Sequence, residues 1–109
     1  MKFNTLHKLI LSAQECDNVE LFALECGGSL PESVSDEEAF ELLGKIHAFA
    51  HDFNFHHIRA LSGLSQNRMA QEYGIPPRTI QAWDEGHRTP PSYLLIFLFL
   101  DVIQQEKTA

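Results

Sequence analysis

Glycine and proline recur between residues 63 and 91 at spacings that allow only short helices joined by tight turns. Ser65 is a residue type that caps helix N-termini, and Gly74 supplies the positive φ that ends a helix and makes a tight turn. Pro77 suits the first position of a helix, where its missing N–H is not needed. The spacing therefore predicts a short helix between Ser65 and Gly74, a turn, and a second helix from Pro77 to Asp84.

Helical spacing assigns an inner and an outer face to both of these helices. In the first helix the predicted buried positions are Met69, Ala70 and Tyr73, and Ala70 is small where a second helix must cross closely. In the second helix Ile80 and Trp83 face inward, so Trp83 is predicted to belong to the core rather than to stack on bases. The outward positions are Pro77, Arg78, Gln81 and Ala82. Two such helices with a tight turn predict a helix-turn-helix over residues 64–86.

The N-terminal part of the chain carries further helix signals. Thr5 is expected to cap a first helix, and Asp17 with Glu20 resembles a capping box that opens a second one. A single helix that continues through Asp17 is the alternative. The stretch 27–34 contains glycine, proline and serine, which indicates a loop and the one plausible internal boundary. We therefore predict an acidic helical extension over residues 1–34.

Residues 35–109 are predicted to form a helical domain that contains the helix-turn-helix. Ser35 caps one helix and Asn54 the next, and the apolar run from Tyr93 to Leu100 indicates a buried final helix that must be covered on several sides. The helix after Ser35 has the expected apolar set Ala39, Phe40, Leu43, Ile46, Phe49, Ala50 and Phe53. Because no strand-like alternation occurs anywhere, the predicted class is all-α.

Residues 55–103 resemble a known family, the phage repressor and Cro-like helix-turn-helix regulators of the Xre type. The matching positions are Gln66, Ala70, Gly74, Ile80, Trp83, Asp84, Gly86, Arg88 and Pro90. The resemblance implies that the second helix of the motif enters the major groove of DNA and that its outward residues read bases. Such regulators commonly bind two half-sites about one DNA turn apart, which implies a homodimer.

The resemblance assigns the outward residues of the motif to two kinds of DNA contact. Pro77, Arg78, Gln81 and Ala82 would face base edges, since arginine can bind guanine, glutamine can pair with adenine, and alanine can touch a thymine methyl group. The residues expected to contact phosphates are Gln66, Asn67, Arg68, Thr79, Arg59, His87 and Arg88. Pro76 followed by Pro77 departs from the family pattern, because two N–H groups are lost at the helix start.

Charge is unevenly distributed along the chain. The net charge is −7, and residues 1–57 hold all of it, with three lysines against ten carboxylates. Residues 59–88 have a net charge of +1, which is a weak electrostatic attraction for phosphate. The acidic half therefore supports an alternative function, a protein-binding or DNA-mimicking inhibitory module that uses residues 1–57 to bind a protein partner.

Other kinds of site are not supported by the sequence. His47 and His51 are four residues apart and His56 and His57 follow, but no third ligand or metal motif completes a site. Cys16 and Cys26 fit no zinc or redox spacing and are predicted to be packed thiols. No nucleophile or phosphate-loop motif occurs, so we expect neither catalysis nor a cofactor. No apolar run is long enough to cross a bilayer, so we expect a cytoplasmic protein without membrane contact.

Overall fold

A computed structural model describes residues 2–26, 30 and 35–108, with side chains as far as residue 105. These residues form seven helices and no strand, which confirms the all-α class. The helices are α1 (Phe3–Gln14), α2 (Val19–Cys26), α3 (Asp36–His51), α4 (Phe55–Ser62), α5 (Gln66–Tyr73), α6 (Pro77–Asp84) and α7 (Ser92–Thr108). Among the described residues, no helix has the length and apolar character needed to span a bilayer.

The chain divides into two compact units, Met1–Asp52 and Phe53–Ala109. We predicted a boundary after residue 34, in the stretch 27–34, which lies outside the described residues except for the buried Leu30. The division comes later in the chain because α3 packs against α1 and α2 and so belongs to the first unit.

The first two helices begin at other residues than expected. Helix α1 starts at Phe3 after an extended Lys2, so Thr5 lies inside the helix and does not cap it. A break at residues 16–18 separates α1 from α2, which excludes one continuous helix. The cap of α2 is Asn18 rather than Asp17, because the Asn18 side chain accepts a hydrogen bond from the Leu21 N–H at 3.0 Å.

Helix α3 begins as predicted, with the Ser35 hydroxyl accepting a hydrogen bond from the Glu38 N–H. Its buried residues are Leu42, Leu43, Ile46, Phe49 and Ala50. We expected Phe40 in this set, but its side chain is 53% exposed. It lies about 120° around the helix from Ile46, at the edge of the buried stripe, whereas Leu42 lies within that stripe.

Two histidines of α3, His47 and His51, contact backbone carbonyls at the C-terminal end of α1. The Nε2 atom of His47 lies 2.6 Å from the carbonyl oxygen of Cys16, and that of His51 lies 2.7 Å from the carbonyl oxygen of Ala13. Helix ends leave carbonyls without helical N–H partners. The His51 ring adds a contact to one carbonyl in the last turn of α1, and the His47 ring contacts the chain just after this helix. No cluster of histidine, cysteine or acidic side chains among the described residues is arranged to hold a metal ion.

The second unit is built around short helices and the start of α7. Helix α4 contacts α6 and α7, and α5 contacts α6. The Asn54 side chain caps α4 as predicted by accepting from the His57 N–H at 2.9 Å. The most deeply buried side chains of this unit include Phe55, Ile58, Met69, Ile80, Leu95 and Phe99.

Candidate nucleic-acid interface

The predicted helix-turn-helix is present as α5, a three-residue connection and α6. The Ser65 hydroxyl accepts from the Arg68 N–H at 3.1 Å and begins α5. Gly74 ends α5 with φ of 63°, in the left-handed region where glycine is favoured. Pro77 is the first residue of α6, and α6 ends at Asp84 as predicted.

Helix α6 has one anchored face and one exposed face. Ile80 is fully buried, and the Trp83 ring packs edge-on against Phe55 with ring centroids 5.5 Å apart. On the other side Arg78 and Gln81 are exposed and lie three residues apart, close to one turn of helix. Of the other two outward positions, Pro77 is exposed and Ala82 is partly buried, and Thr79, a predicted phosphate contact, is also partly buried.

The C-terminal end of α6 is fixed by a polar cluster around Asp84, whose side chain is only 6% exposed. The Arg59 Nε–H donates to Asp84 Oδ1 at 2.8 Å, and the Gln66 amide donates to Oδ2 at 2.8 Å. The His56 Nδ1 atom lies 2.9 Å from Oδ1. We call these four residues the Asp84 cluster, which joins α4, α5 and α6.

Electrostatics keeps Asp84 ionised in this setting. Burial alone would raise the pKa of its carboxyl group, but hydrogen bonds from Arg59, Gln66 and His56 outweigh burial and lower the pKa to about 2. A carboxylate that accepts hydrogen bonds from a guanidinium and from an amide is thus held in its charged form over the whole physiological range.

Two residues that we expected at DNA phosphates, Arg59 and Gln66, donate hydrogen bonds to Asp84 in this structure. The Arg59 guanidinium is 23% exposed and also donates from an Nη atom to the Leu64 carbonyl at 3.2 Å. The Gln66 amide is engaged with the carboxylate of Asp84. These contacts make Arg59 and Gln66 positioning residues for α6 in this structure.

No structural role was predicted for Asp84, although the sequence contains one signal for it. Asp84 is the last residue of α6, where the helix dipole disfavours a negative charge. A carboxylate at that position therefore needs a cationic or hydrogen-bonding partner from another helix. His56, which we had considered only as a metal ligand, is one of those partners.

The other predicted contact residues lie on the surface of the second unit. Arg68 pairs with Glu72 at 3.3 Å between Nε and Oε1, Gln81 donates to Glu85 at 3.2 Å, and His87 lies 3.4 Å from Glu85. Asn67, Arg78 and Arg88 are exposed. The side chains of Arg78 and Arg88 make no ion pair with another described residue.

A second polar contact holds α5 against α7. The Tyr73 hydroxyl donates to Asp101 Oδ2 at 2.7 Å, and the Gln105 amide donates to the same oxygen at 2.8 Å. Burial, followed by the hydrogen bond to Asp101, raises the pKa of the Tyr73 phenol. Tyr73, which we predicted to be buried, is only partly buried, and its hydroxyl group makes the hydrogen bond to Asp101.

Comparisons of the chain with protein-family models, with curated proteins and with solved structures found no match. The function is therefore inferred from the geometry and chemistry of the residues described above.

Proposed function

We propose that this chain binds double-stranded DNA in the major groove through α6 and acts as a non-enzymatic transcriptional repressor in the cytoplasm. The observation that carries the proposal is the orientation of α6. Its inner face is fixed by Ile80 and the Asp84 cluster. Its outer face presents Arg78, the second residue of the helix, and Gln81 three residues further on. A rigid helix with exposed hydrogen-bonding side chains near its N-terminus is what major-groove recognition requires.

The exposed residues of α6 have the chemistry to distinguish base pairs. Arg78 can donate two hydrogen bonds to guanine O6 and N7, and Gln81 can pair with adenine N6 and N7. Gln81 would exchange its contact with Glu85 for one with DNA, and exposed contacts of this type contribute little to stability. Ala82 and Pro77 offer apolar contacts, which suit a thymine methyl group.

Phosphate contacts in this proposal come from residues that flank α6. Asn67, Arg68, Thr79, His87 and Arg88 lie on the surface or are partly exposed and can fix the register of the protein on the duplex. Arg59 and Gln66 act indirectly, because they hold Asp84 and so the direction of α6. With few arginines available, we expect a homodimer to neutralise about 4–6 phosphates in two half-sites.

The test is selection of random duplex DNA by the full chain, followed by affinity titration of the enriched sequence. We expect a compact, roughly palindromic motif. Raising the salt from about 50 to about 200 mM should weaken binding by roughly 10²–10³-fold, because about 4–6 phosphates are neutralised. Failure to enrich any sequence would contradict the proposal.

Two Arg78 variants and one control distinguish base reading from general attraction. Arg78→Ala should cost about 1–3 kcal/mol at one base position, and Arg78→Lys should lose the same discrimination while it keeps the charge. Lys8→Ala removes an exposed cation from α1 in the first unit and should leave affinity and specificity unchanged. If both Arg78 variants recognise every sequence as the wild type does, α6 is not the reading helix.

A further inference from the structure

An apolar groove lies between α2 and α3 in the first unit, and DNA binding by the second unit does not use it. Its volume is about 550 Å³, and Ala23, Ala39 and Leu43 supply apolar lining. Leu24 and Phe40 also line it, and these two side chains are 83% and 53% exposed. Single exposed apolar residues are common on protein surfaces. Two of them lining one groove with further apolar residues form a patch that suits a binding site.

Carboxylates surround this groove, which we call the α2–α3 groove. Glu20 and Asp36 line it, and Glu37 and Glu41 lie beside Phe40 and Asp36 in an adjoining depression. All four acidic residues are exposed. The whole unit has three lysines against ten carboxylates, and no lysine lines the groove. The field at the groove is therefore negative.

This charge restricts what can occupy the groove. Nucleic acid would be repelled by the carboxylates. A second copy of the chain that packed symmetrically on this face would bring Glu20, Asp36, Glu37 and Glu41 close to their own copies, and like charges across an interface disfavour association. A partner with apolar side chains and flanking cations would not be repelled by these carboxylates.

We propose that the α2–α3 groove binds an amphipathic, basic helix of a partner protein. Its apolar side chains, spaced three or four residues apart, would enter between Leu24 and Phe40. Its lysine or arginine side chains would meet Glu20, Asp36, Glu37 and Glu41 at the rim. The chain would then join two binding surfaces, one for DNA on the second unit and one for a basic protein segment on the first. The proposal does not depend on DNA binding.

The test uses the full chain and a fluorescent synthetic peptide with leucine on one helical face and lysine on the others. Two control peptides accompany it: one has the same composition with the leucines dispersed, and the other has glutamate in place of lysine. We expect saturable binding of the first peptide, measured by anisotropy, and at least tenfold weaker binding of both controls. Equal binding of the dispersed peptide would overturn the proposal, because charge alone would then explain the attraction.

Variants locate the binding surface. Leu24→Ala and Phe40→Ala should each raise the dissociation constant roughly tenfold, which is typical of a central anchor. Leu11→Ala truncates a side chain of α1 that is 49% exposed and does not line the groove, so it should leave the affinity unchanged. Glu37→Gln with Glu41→Gln should weaken binding and reduce its salt dependence. An equal loss of peptide affinity in Leu11→Ala would contradict the assignment of the binding surface to the α2–α3 groove.

Two further measurements separate this proposal from DNA recognition and from self-association of the chain. Arg78→Ala, which tests DNA recognition, should leave the peptide affinity unchanged, so the two proposals can fail independently. Sedimentation of the chain without peptide tests the second-copy alternative. If the chain self-associates and Phe40→Ala abolishes that association, the groove is an interface between copies and the proposal is overturned.

Discussion

The unit Met1–Asp52 has no arginine and a net charge of −7, whereas the unit Phe53–Ala109 contains all four arginines and has equal numbers of cationic and acidic residues. In the first unit, the charged residues lie mostly at the surface, and apolar residues of α1, α2 and α3 form the core. In the second unit, the short helices α4, α5 and α6 are joined through the Asp84 cluster in addition to apolar contacts.

This difference shows how each unit can keep a surface available for binding. Helix α6 has only eight residues and buries only Ile80 completely. The hydrogen bonds to Asp84 therefore help to fix the orientation of this helix, which the burial of one residue does not determine. The longer α1 and α3 bury several apolar residues each, and the two histidines of α3 contact backbone carbonyls at the end of α1 instead of a buried carboxylate. The first unit can therefore expose Leu24 and Phe40 without losing its core.

The largest effect is expected from the core of the first unit. Phe49→Ala removes a fully buried ring of α3 and should lower the free energy of unfolding by roughly 3–5 kcal/mol, measured by urea denaturation. The control is Leu24→Ala, which should stay within about 0.5 kcal/mol of the wild type because Leu24 is exposed. A comparable loss in Leu24→Ala would mean that this side chain is packed and not available to a partner.

Asp84→Asn should have the next largest effect on stability. The expected loss in the free energy of unfolding is on the order of 2 kcal/mol at neutral pH, because the carboxyl pKa falls from 3.8 to about 2 on folding. A lowered folded pKa stabilises the protein above the unfolded pKa, and this stabilisation disappears as the pH falls through the folded pKa. The stability difference between wild type and variant should therefore decrease between about pH 4 and pH 2. Urea denaturation across that range measures it.

The control for this variant is the neighbouring Glu85→Gln, whose side chain is 46% exposed. It should show little change in stability and no such pH dependence. If Asp84→Asn and Glu85→Gln behave alike, the Asp84 cluster does not stabilise the second unit, and the contrast between the two units is lost.

Much of the fold follows from residues that are close in the sequence. Ser35, Asn54 and Ser65 each bind an N–H three residues later, so their helix starts were predicted correctly. Gly74 and Pro77 fixed the turn and the start of α6 by their own backbone preferences. The outward position of Arg78 and Gln81 followed from helical spacing alone.

The remaining features depend on contacts between distant residues. Arg59 and Gln66, which were predicted at phosphates, contact Asp84 across 25 and 18 positions of sequence, and these contacts were not predicted. Periodicity gives the side of a helix on which such a residue lies but not the atom that its side chain reaches. The extent of the first unit likewise depends on distant contacts, because the packing of α3 against α1 and α2 places α3 in that unit.

Tyr73→Phe tests the second polar contact of the second unit and should have a smaller effect. Loss of the hydroxyl that donates to Asp101 should cost about 1–2 kcal/mol. Because the pKa of Tyr73 is raised, part of the tyrosinate absorbance should appear only above the ordinary range, and this part should be absent in the variant. Tyr93→Phe is the matched control, since Tyr93 is 62% exposed and should tolerate the change. Equal destabilisation by both variants would contradict the role given to Asp101.

The smallest effect on stability is expected from Arg68→Ala, and this variant separates folding from DNA recognition. Arg68 and Glu72 form an exposed pair within α5, and such pairs contribute less than about 0.5 kcal/mol. On DNA, however, the same guanidinium is proposed to neutralise a phosphate. Its loss should weaken all sequences evenly and reduce the slope of log affinity against log salt by about 1 per protomer. A large loss of stability would show that Arg68 is a structural residue of the second unit, and an unchanged slope would remove it from the DNA interface.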